Sequence, residues 1–282
     1  MSFAASRRST YMSYADVNGI SLYYEEHGSG RVPLVLLHGG LHGGEMCAPI
    51  LPELAKDRRV IVVDLQAHGH TADVDRPLRY ETMGDDIAAL IRHLNLGQAD
   101  LIGYSLGAGA ALRTAIQHPD LVRRLVAASF PFRRDGWHAE NLAGMDQMGR
   151  QLAEMLKQSP LYEFYSRVAP RAEDWPVLLD KTGDLLRHDF DWSAGVAGIT
   201  APVMLVFGDA DAVRTAHIAE FYALLGGGLR DANWDGSARP VARLAVLPGH
   251  THYGIFATPD LTAAVIPFLD APSLEPPAPM GQ

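Results

Sequence analysis

The sequence predicts an α/β fold, built on a mostly parallel eight-stranded sheet with helices on both faces and with an inserted helical cap. Short runs of β-branched and aliphatic residues alternate with longer segments whose apolar positions recur at helical spacing, as in strand–helix–strand units. One internal stretch, residues 130–200, interrupts this alternation and lacks strand-like runs. With 282 residues and 48% hydrophobic content, the chain can bury one large core.

The first predicted element is an antiparallel hairpin. Residues 14–17 and 20–26 flank Asn18-Gly19, a dipeptide that favours the tight turn of a hairpin. The sheet is therefore expected to begin antiparallel.

Six further runs are apolar without interruption, which is typical of strands buried on both faces. They are residues 34–37, 60–63, 100–103, 125–128, 203–207 and 244–247. The segments between them have apolar residues at helical spacing and predict helices over 45–56, 80–95, 106–118, 215–225 and 259–269.

The domain organisation follows from this pattern. Residues 14–129 and 201–270 form the predicted core, and 130–200 form a helical cap inserted after the sixth strand. The cap contains three of the four tryptophans and is expected to have helices over 141–158, 161–168 and 175–187. Residues 226–240 predict a long loop, and residues 1–13 and 271–282 predict flexible tails.

Composition excludes several classes of function. The net charge of −9, without long runs of one sign, argues against nucleic acid as a partner. Because Cys47 is the sole cysteine, no intramolecular disulfide can form, and a cytoplasmic location is expected. No apolar run approaches the ~20 residues that cross a bilayer, so no membrane association is expected. No dinucleotide-binding, Walker or metal-binding motif is present, so we expect no cofactor and no metal. The sequence has no feature that indicates an oligomeric state.

The main chemical motif is Gly103-Tyr104-Ser105-Leu106-Gly107, which matches G-x-S-x-G between a predicted strand and a predicted helix. Such a sharp turn strains the serine backbone and exposes its hydroxyl as a nucleophile. The backbone N–H of Leu106, at the helix N-terminus, is positioned to stabilise an oxyanion. The structural alternative is an ordinary serine in a tight strand–helix turn.

A second oxyanion donor is expected in the glycine-rich turn His38-Gly39-Gly40-Leu41, which follows a buried strand. Here the chain resembles the α/β-hydrolase superfamily, whose H-G motif after the third strand implies the N–H of Gly40 as donor. Leu41 is the alternative. Metal binding by His38 and His42 is a further alternative, but a role for His38 in holding the loop is preferred.

The resemblance extends from about residue 17 to residue 269 and implies the rest of a Ser-His-Asp triad. The turn Gly208-Asp209-Ala210-Asp211 after a predicted strand resembles the family's G-x-x-D turn, which implies Asp211 as the acid that orients the histidine. Asp209 and Asp135 are the alternatives.

The catalytic base is implied by residues 248–252, which resemble the family's P-G-x-x-H pattern and assign His252. His250, two residues earlier, is the alternative base. Residues 64–71 resemble the family's D-x-x-G-H-G-x-S stretch, with Ala67 for a glycine and Thr71 for the serine, and are interpreted as structural.

The resemblance implies an esterase- or lactonase-like serine hydrolase, which acts through an acyl-enzyme on a carboxylic ester or lactone. The cap is rich in apolar residues, which favours a neutral, fairly bulky small molecule, with macrolide-type lactones as one option. Arg133-Arg134 at the cap entrance is a candidate anchor for an anion. Carbon–carbon bond hydrolases, acyltransferases and perhydrolases use the same triad and remain alternatives. A non-catalytic small-molecule receptor or scaffold is the alternative of another class.

Overall fold

The fold is that of a computed structural model, which describes residues 11–272. Eight strands form one sheet: β1 (Tyr11–Val17), β2 (Ile20–His27), β3 (Pro33–Leu37), β4 (Arg59–Val63), β5 (Ala99–Tyr104), β6 (Val122–Ala128), β7 (Val203–Ala210) and β8 (Arg243–Thr251). Their spatial order is β1-β2-β4-β3-β5-β6-β7-β8. The first two strands are antiparallel to their neighbours and all the others are parallel, so the predicted fold class is confirmed.

Ten α-helices connect and cover the strands: α1 (Leu51–Leu54), α2 (Tyr80–His93), α3 (Leu106–Gln117), α4 (Ala139–Asp146), α5 (Ala153–Leu156), α6 (Pro160–Val168), α7 (Trp175–Arg187), α8 (Ser193–Ala197), α9 (Thr215–Leu224) and α10 (Pro259–Asp270), counted over residues 11–272. Short 3-10 helices occupy Gly44–Cys47, Pro119–Leu121, Arg134–Gly136, Arg150–Leu152, Ala172–Asp174 and Ile255–Ala257. None of the helices in this part of the chain is long and apolar enough to cross a membrane.

The hairpin forms where the sequence predicts it. Asn18 and Gly19 both have positive φ angles, of 47° and 76°, as a tight hairpin turn with two left-handed residues requires. Val17 then pairs with Ile20. Strand β1 begins at Tyr11, so it includes three residues that the sequence assigned to the tail.

The six parallel strands also form as predicted, but β8 is not buried on both faces. Leu244 and Val246 are 36% and 48% exposed, whereas Ala245 and Leu247 pack against the core. The difference arises because β8 is the last strand of the sheet, and the prediction of two buried faces was wrong there.

Two predicted helices are interrupted. Residues 45–56 form a 3-10 turn and the one-turn helix α1, because Pro49 lacks the backbone N–H that a continuous helix uses at that position. Residues 141–158 are divided among α4, a 3-10 turn and α5. The break lies at Gly149, whose backbone is fully extended, and next to it the N–H of Arg150 donates to the Asp180 carboxylate at 2.7 Å instead of to a helical carbonyl.

The sheet separates two apolar layers. Helices α2 and α3 pack on one face together with cap residues such as Trp175 and Trp192, and α1 and α10 pack on the other. Between β6 and β7 the described chain consists of helices, turns and two isolated bridges, with no strand of the sheet. Residues 226–242 contain no helix or strand, as the loop prediction requires for 226–240. The predicted tails lie outside the described residues up to position 10 and from position 273 onwards.

Candidate active site

The predicted nucleophile lies in the turn between β5 and α3. Ser105 has φ 50° and ψ −117°, a left-handed conformation that costs about 1–3 kcal/mol in a non-glycine residue. The surrounding structure holds it there, since its N–H donates to the carbonyl of Ala128 at 2.9 Å. The Ser105 backbone is therefore strained, and this conformation directs the hydroxyl out of the turn.

The glycines of the motif are required by close backbone contacts. A Cβ atom on Gly103 would lie 2.3 Å from the carbonyl oxygen of Gly107, and a Cβ on Gly107 would lie 2.5 Å from that of Leu37. Both distances are shorter than the van der Waals contact distance between a Cβ atom and a carbonyl oxygen. The G-x-S-x-G spacing is thus a packing requirement of this turn as well as a chemical signature.

His252 follows β8 and faces the serine. Its Nε2 atom lies 3.2 Å from the Ser105 hydroxyl oxygen. The Tyr104 hydroxyl donates to the His252 backbone carbonyl at 2.6 Å, and the Trp137 ring packs edge-on against the imidazole with centroids 5.5 Å apart. The imidazole is therefore held by contacts from the nucleophile turn and from the cap.

Asp211 lies behind the imidazole. One carboxylate oxygen is 3.2 Å from His252 Nδ1, and the other accepts from the Ser129 hydroxyl at 2.6 Å and from the Gly208 N–H at 3.1 Å. A carboxylate can only accept, so the Nδ1 atom of His252 carries a proton and Nε2 presents its lone pair to Ser105. This is the tautomer that a general base requires.

The surroundings of Asp211 favour its charged form. Burial of the side chain raises the pKa, but the hydrogen bonds from His252 and Ser129 outweigh it and hold the pKa of this carboxyl below its ordinary value. Asp211 is consequently a carboxylate at neutral pH.

Two backbone N–H groups are placed to bind an oxyanion. Leu106 is the first residue of α3, and a Cβ on Gly40 would lie 3.9 Å from the Leu106 Cβ, so the two turns are adjacent. Neither N–H has an acceptor among residues 11–272. Free donors at a helix N-terminus, next to the serine, suit a developing negative charge.

The turn that contains Gly40 is fixed by His38. This side chain is fully buried, and its Nε2 accepts from the Leu65 N–H at 3.0 Å while Nδ1 donates to the Gly39 carbonyl at 2.7 Å. Burial lowers the pKa of His38, which keeps the ring neutral. It thereby joins the loop after β3 to the loop after β4.

A cavity of about 340 Å³ opens over Ser105. Most of its wall is apolar: Leu41, Met46, Leu106, Phe130, Trp137, Met145, Met148, Leu161 and Leu186. Among the described residues that line it there is no lysine, arginine, aspartate or glutamate.

A family model described as alpha/beta hydrolase fold matches residues 32–244. The chain belongs to the alpha/beta hydrolase family. A 2-(acetamidomethylene)succinate hydrolase from Mesorhizobium japonicum is similar to this hydrolase, with 29% identity over 279 residues, 91% of this chain and 94% of that protein. A 2-hydroxymuconate semialdehyde hydrolase from a Pseudomonas strain is 34% identical over 155 residues, 52% of each chain.

Solved structures share the fold. The crystal structure of E-2-(acetamidomethylene)succinate hydrolase matches this hydrolase with a TM-score of 0.70 at 25% identity, and the match covers 93% of this chain and 100% of that one.

The alternative triad residues of the hydrolase lie elsewhere. Asp209 accepts from the Gly249 N–H at 2.9 Å and so joins the C-terminal ends of β7 and β8. His250 contacts the Asp260 carboxylate at 2.8 Å, and Asp135 contacts Arg133 at 2.6 Å. None of the three is within hydrogen-bond distance of Ser105 or His252.

Other candidates from the sequence take structural positions. Arg134 donates to the Leu186 carbonyl at 2.9 Å and to Asp146 at 2.6 Å, and neither it nor Arg133 lines the cavity. In the stretch 64–71, Ala67 has a φ of 64°, a conformation that glycine adopts at lower cost than alanine. The Thr71 hydroxyl accepts from the Tyr23 N–H at 2.9 Å.

Ser129 is the site residue that sequence reasoning missed. It follows β6, has a φ of 54°, is fully buried and donates to Asp211 from 82 residues away in sequence. Its position after a buried parallel strand is the signal that could have found it, because such strand ends meet at one edge of the sheet.

Proposed function

We propose that this hydrolase cleaves a carboxylic ester or lactone of a neutral small molecule through an acyl-enzyme formed on Ser105. The continuous arrangement of Ser105, His252 and Asp211, with consecutive separations of 3.2 Å and 3.2 Å, supports this more than any other observation.

The chemistry proceeds in two steps. As the Ser105 oxygen attacks the carbonyl carbon, its proton passes to Nε2 of His252, and the oxyanion is bound by the N–H groups of Gly40 and Leu106. The proton then passes from His252 to the departing alcohol oxygen as the ester bond breaks. In the second step the oxygen of a water molecule attacks the acyl carbon as its proton passes to His252. The bond to Ser105 then breaks, the proton passes from His252 to the Ser105 oxygen, and the acid is released.

The neutral lining of the cavity supports a neutral substrate. The relatives described above act, by their names, on a succinate and a muconate derivative, which are carboxylates. A buried carboxylate needs a cationic or strongly donating partner, and the described lining residues offer no lysine or arginine. We therefore propose that the substrate differs from theirs in charge.

The size of the cavity supports a compact substrate. Ligand pockets span about 300–1,000 Å³, and a volume of about 340 Å³ lies near the lower limit. An ester or lactone with one ring or a short chain suits this volume, whereas a macrolide ring requires the cap to move away.

The proposal is tested by labelling and by a substrate screen. A fluorophosphonate probe is expected to modify the wild type and the exposed-serine control Ser166→Ala, but not Ser105→Ala, and mass spectrometry locates the adduct. Ser105→Ala and His252→Ala are each expected to lose about 10³-fold or more in kcat on the best neutral ester. Folded wild type that is neither labelled nor active on neutral esters and lactones would support the receptor alternative.

Carbon–carbon bond hydrolysis is the second candidate, and the 34% identity to the 2-hydroxymuconate semialdehyde hydrolase favours it. The same triad would then cleave the bond between a carbonyl carbon and an adjacent carbon. A neutral diketone series, assayed beside the ester series, separates the two: turnover of diketones without turnover of esters would replace the first proposal.

A further inference from the structure

Two side chains at the wall of the cavity carry hydroxyl groups that have no hydrogen-bond partner among residues 11–272. Thr182 from α7 and Tyr80 from the start of α2 both line the cavity, and neither belongs to the triad or to the turns that hold it. The Thr182 oxygen is buried and makes no hydrogen bond within residues 11–272. Over the same part of the chain, no hydrogen bond involves the Tyr80 hydroxyl.

Thr182 differs in this respect from the other buried threonines of the described chain. The Thr71 hydroxyl donates to the Asp64 carbonyl at 2.6 Å, that of Thr114 to Ala110 at 2.9 Å and that of Thr262 to Pro259 at 2.8 Å. Thr114 and Thr262 bond the preceding turn of their own helices, as helical threonines commonly do, and a buried hydroxyl without a partner is unfavourable. An unpaired hydroxyl at the wall of a ligand cavity therefore calls for a partner from outside the chain.

The segments that carry the two hydroxyls are fastened to each other. Lys181 lies 2.6 Å from the Asp73 carboxylate and donates to the carbonyl of Arg76 at 2.8 Å. One turn further along α7, Asp184 accepts from Arg79 at 2.7 Å. These contacts lie on both sides of Thr182 and just before Tyr80, and they join the two segments, so a ligand can be met by side-chain rotation.

We propose that Thr182 and Tyr80 form a recognition site for a neutral oxygen of the substrate, a carbonyl, ether or hydroxyl separate from the carbonyl that Ser105 attacks. A hydroxyl can donate to such an oxygen, and threonine in a helix has two accessible χ1 rotamers, so rotation about χ1 moves the hydroxyl to a second position at the cavity wall. The substrate class is thus an oxygenated ester or lactone, and this inference rests on the proposed function. A site built around unpaired hydroxyls discriminates against a purely hydrocarbon analogue, which leaves them buried and unsatisfied.

The test compares para-nitrophenyl esters of keto acids of increasing length with the matched alkanoates, each rate divided by its rate of hydroxide-catalysed hydrolysis. The wild type is expected to prefer at least one keto ester over its alkanoate by about tenfold in kcat/KM. Thr182→Val, which replaces the hydroxyl by a methyl group of similar size, and Tyr80→Phe are each expected to reduce that ratio severalfold or more. The control Thr262→Val removes a paired hydroxyl from α10, which does not line the cavity, and should leave the ratio unchanged.

Thr182→Ser, which keeps the hydroxyl, should restore the preference, and circular dichroism checks that every variant folds. The proposal is overturned if no keto ester is preferred by the wild type, or if Thr182→Val and Tyr80→Phe leave the ratio at the wild-type value.

A binding measurement separates this outcome from failure of the proposed function. Calorimetry on Ser105→Ala, with the same ester pairs as ligands, reports recognition without turnover. Hydrolysis of alkanoates and keto esters at equal normalised rates would overturn the recognition site alone. Binding of keto esters that depends on Thr182, without hydrolysis by the wild type, would overturn the proposed function alone.

Discussion

At the scale of single residues, the hydrogen bond that Ser129 donates to Asp211 stabilises the charged form of the acid in the candidate triad. It helps to hold the pKa of Asp211 below its ordinary value, so removing the hydroxyl should raise that pKa. We expect Ser129→Ala to lower kcat about tenfold at neutral pH. On acidification, the variant should begin to lose activity at a higher pH than the wild type does. The measurement is kcat on the best ester between neutral and acid pH.

The half-buried Ser193, on α8, also donates its hydroxyl to an aspartate, Asp191, and so provides a matched control for Ser129. Ser193→Ala should follow the wild-type profile. An unchanged profile for Ser129→Ala would mean that Gly208 and Val213, whose N–H groups also reach Asp211, suffice to position it.

At the scale of elements, the β5–α3 turn depends on the absence of side chains at its glycines. Because a Cβ on Gly107 would lie 2.5 Å from the Leu37 carbonyl oxygen, Gly107→Ala must displace α3 from β3. We expect it to reduce the free energy of unfolding by about 2 kcal/mol or more and to lower labelling of Ser105. Urea unfolding and fluorophosphonate labelling provide the two measurements.

Gly144 in α4 is the matched control, since a Cβ there would meet nothing within 4 Å and the position is exposed. Gly144→Ala should leave labelling unchanged and increase stability by up to about 1 kcal/mol, because alanine favours the helix. Equal effects of the two substitutions would contradict the packing argument.

At the scale of the whole molecule, His217 couples stability to pH. Its ring is fully buried against Phe132, with centroids 4.1 Å apart, and neither ring nitrogen has a hydrogen-bond partner in the described chain. Burial and the nearby charge of Arg133 lower its pKa from 6.5 to about 4, although Glu220 and Asp135 oppose the shift. Between these two values the unfolded chain binds a proton that the folded chain excludes, so stability falls as pH falls.

Urea unfolding at several pH values between neutral and about 4 tests this. We expect the wild type to lose about 2–3 kcal/mol of stability across that window through this group, a loss that His217→Phe should reduce. Exposed His93→Phe is the control and should retain the wild-type slope. A slope that His217→Phe leaves unchanged would assign the pH dependence to other buried groups, such as His68, whose pKa burial lowers to about 3.

The sequence by itself determined the features that local chemistry controls. Short uninterrupted apolar runs favour buried strands, so the parallel sheet was predictable, although β8 has one exposed face. Asn18-Gly19 favoured the hairpin turn that forms. The G-x-S-x-G turn was predictable for the same reason, because few sequences tolerate that backbone path. Pattern alone failed where a single residue interrupts a helix, as at Gly149.

Tertiary structure alone decided the contacts between distant segments. The two candidate acids, Asp209 and Asp211, lie two residues apart, and so do the two candidate bases, His250 and His252. Which aspartate faces which histidine depends on the register shift between β7 and β8 near Gly208. No local pattern encodes that shift. Nor could the sequence show that Ser129 meets Asp211, or that Thr182 lacks the partner that other buried threonines have. Such contacts depend on how strand ends and cap helices converge, which only the packed chain determines.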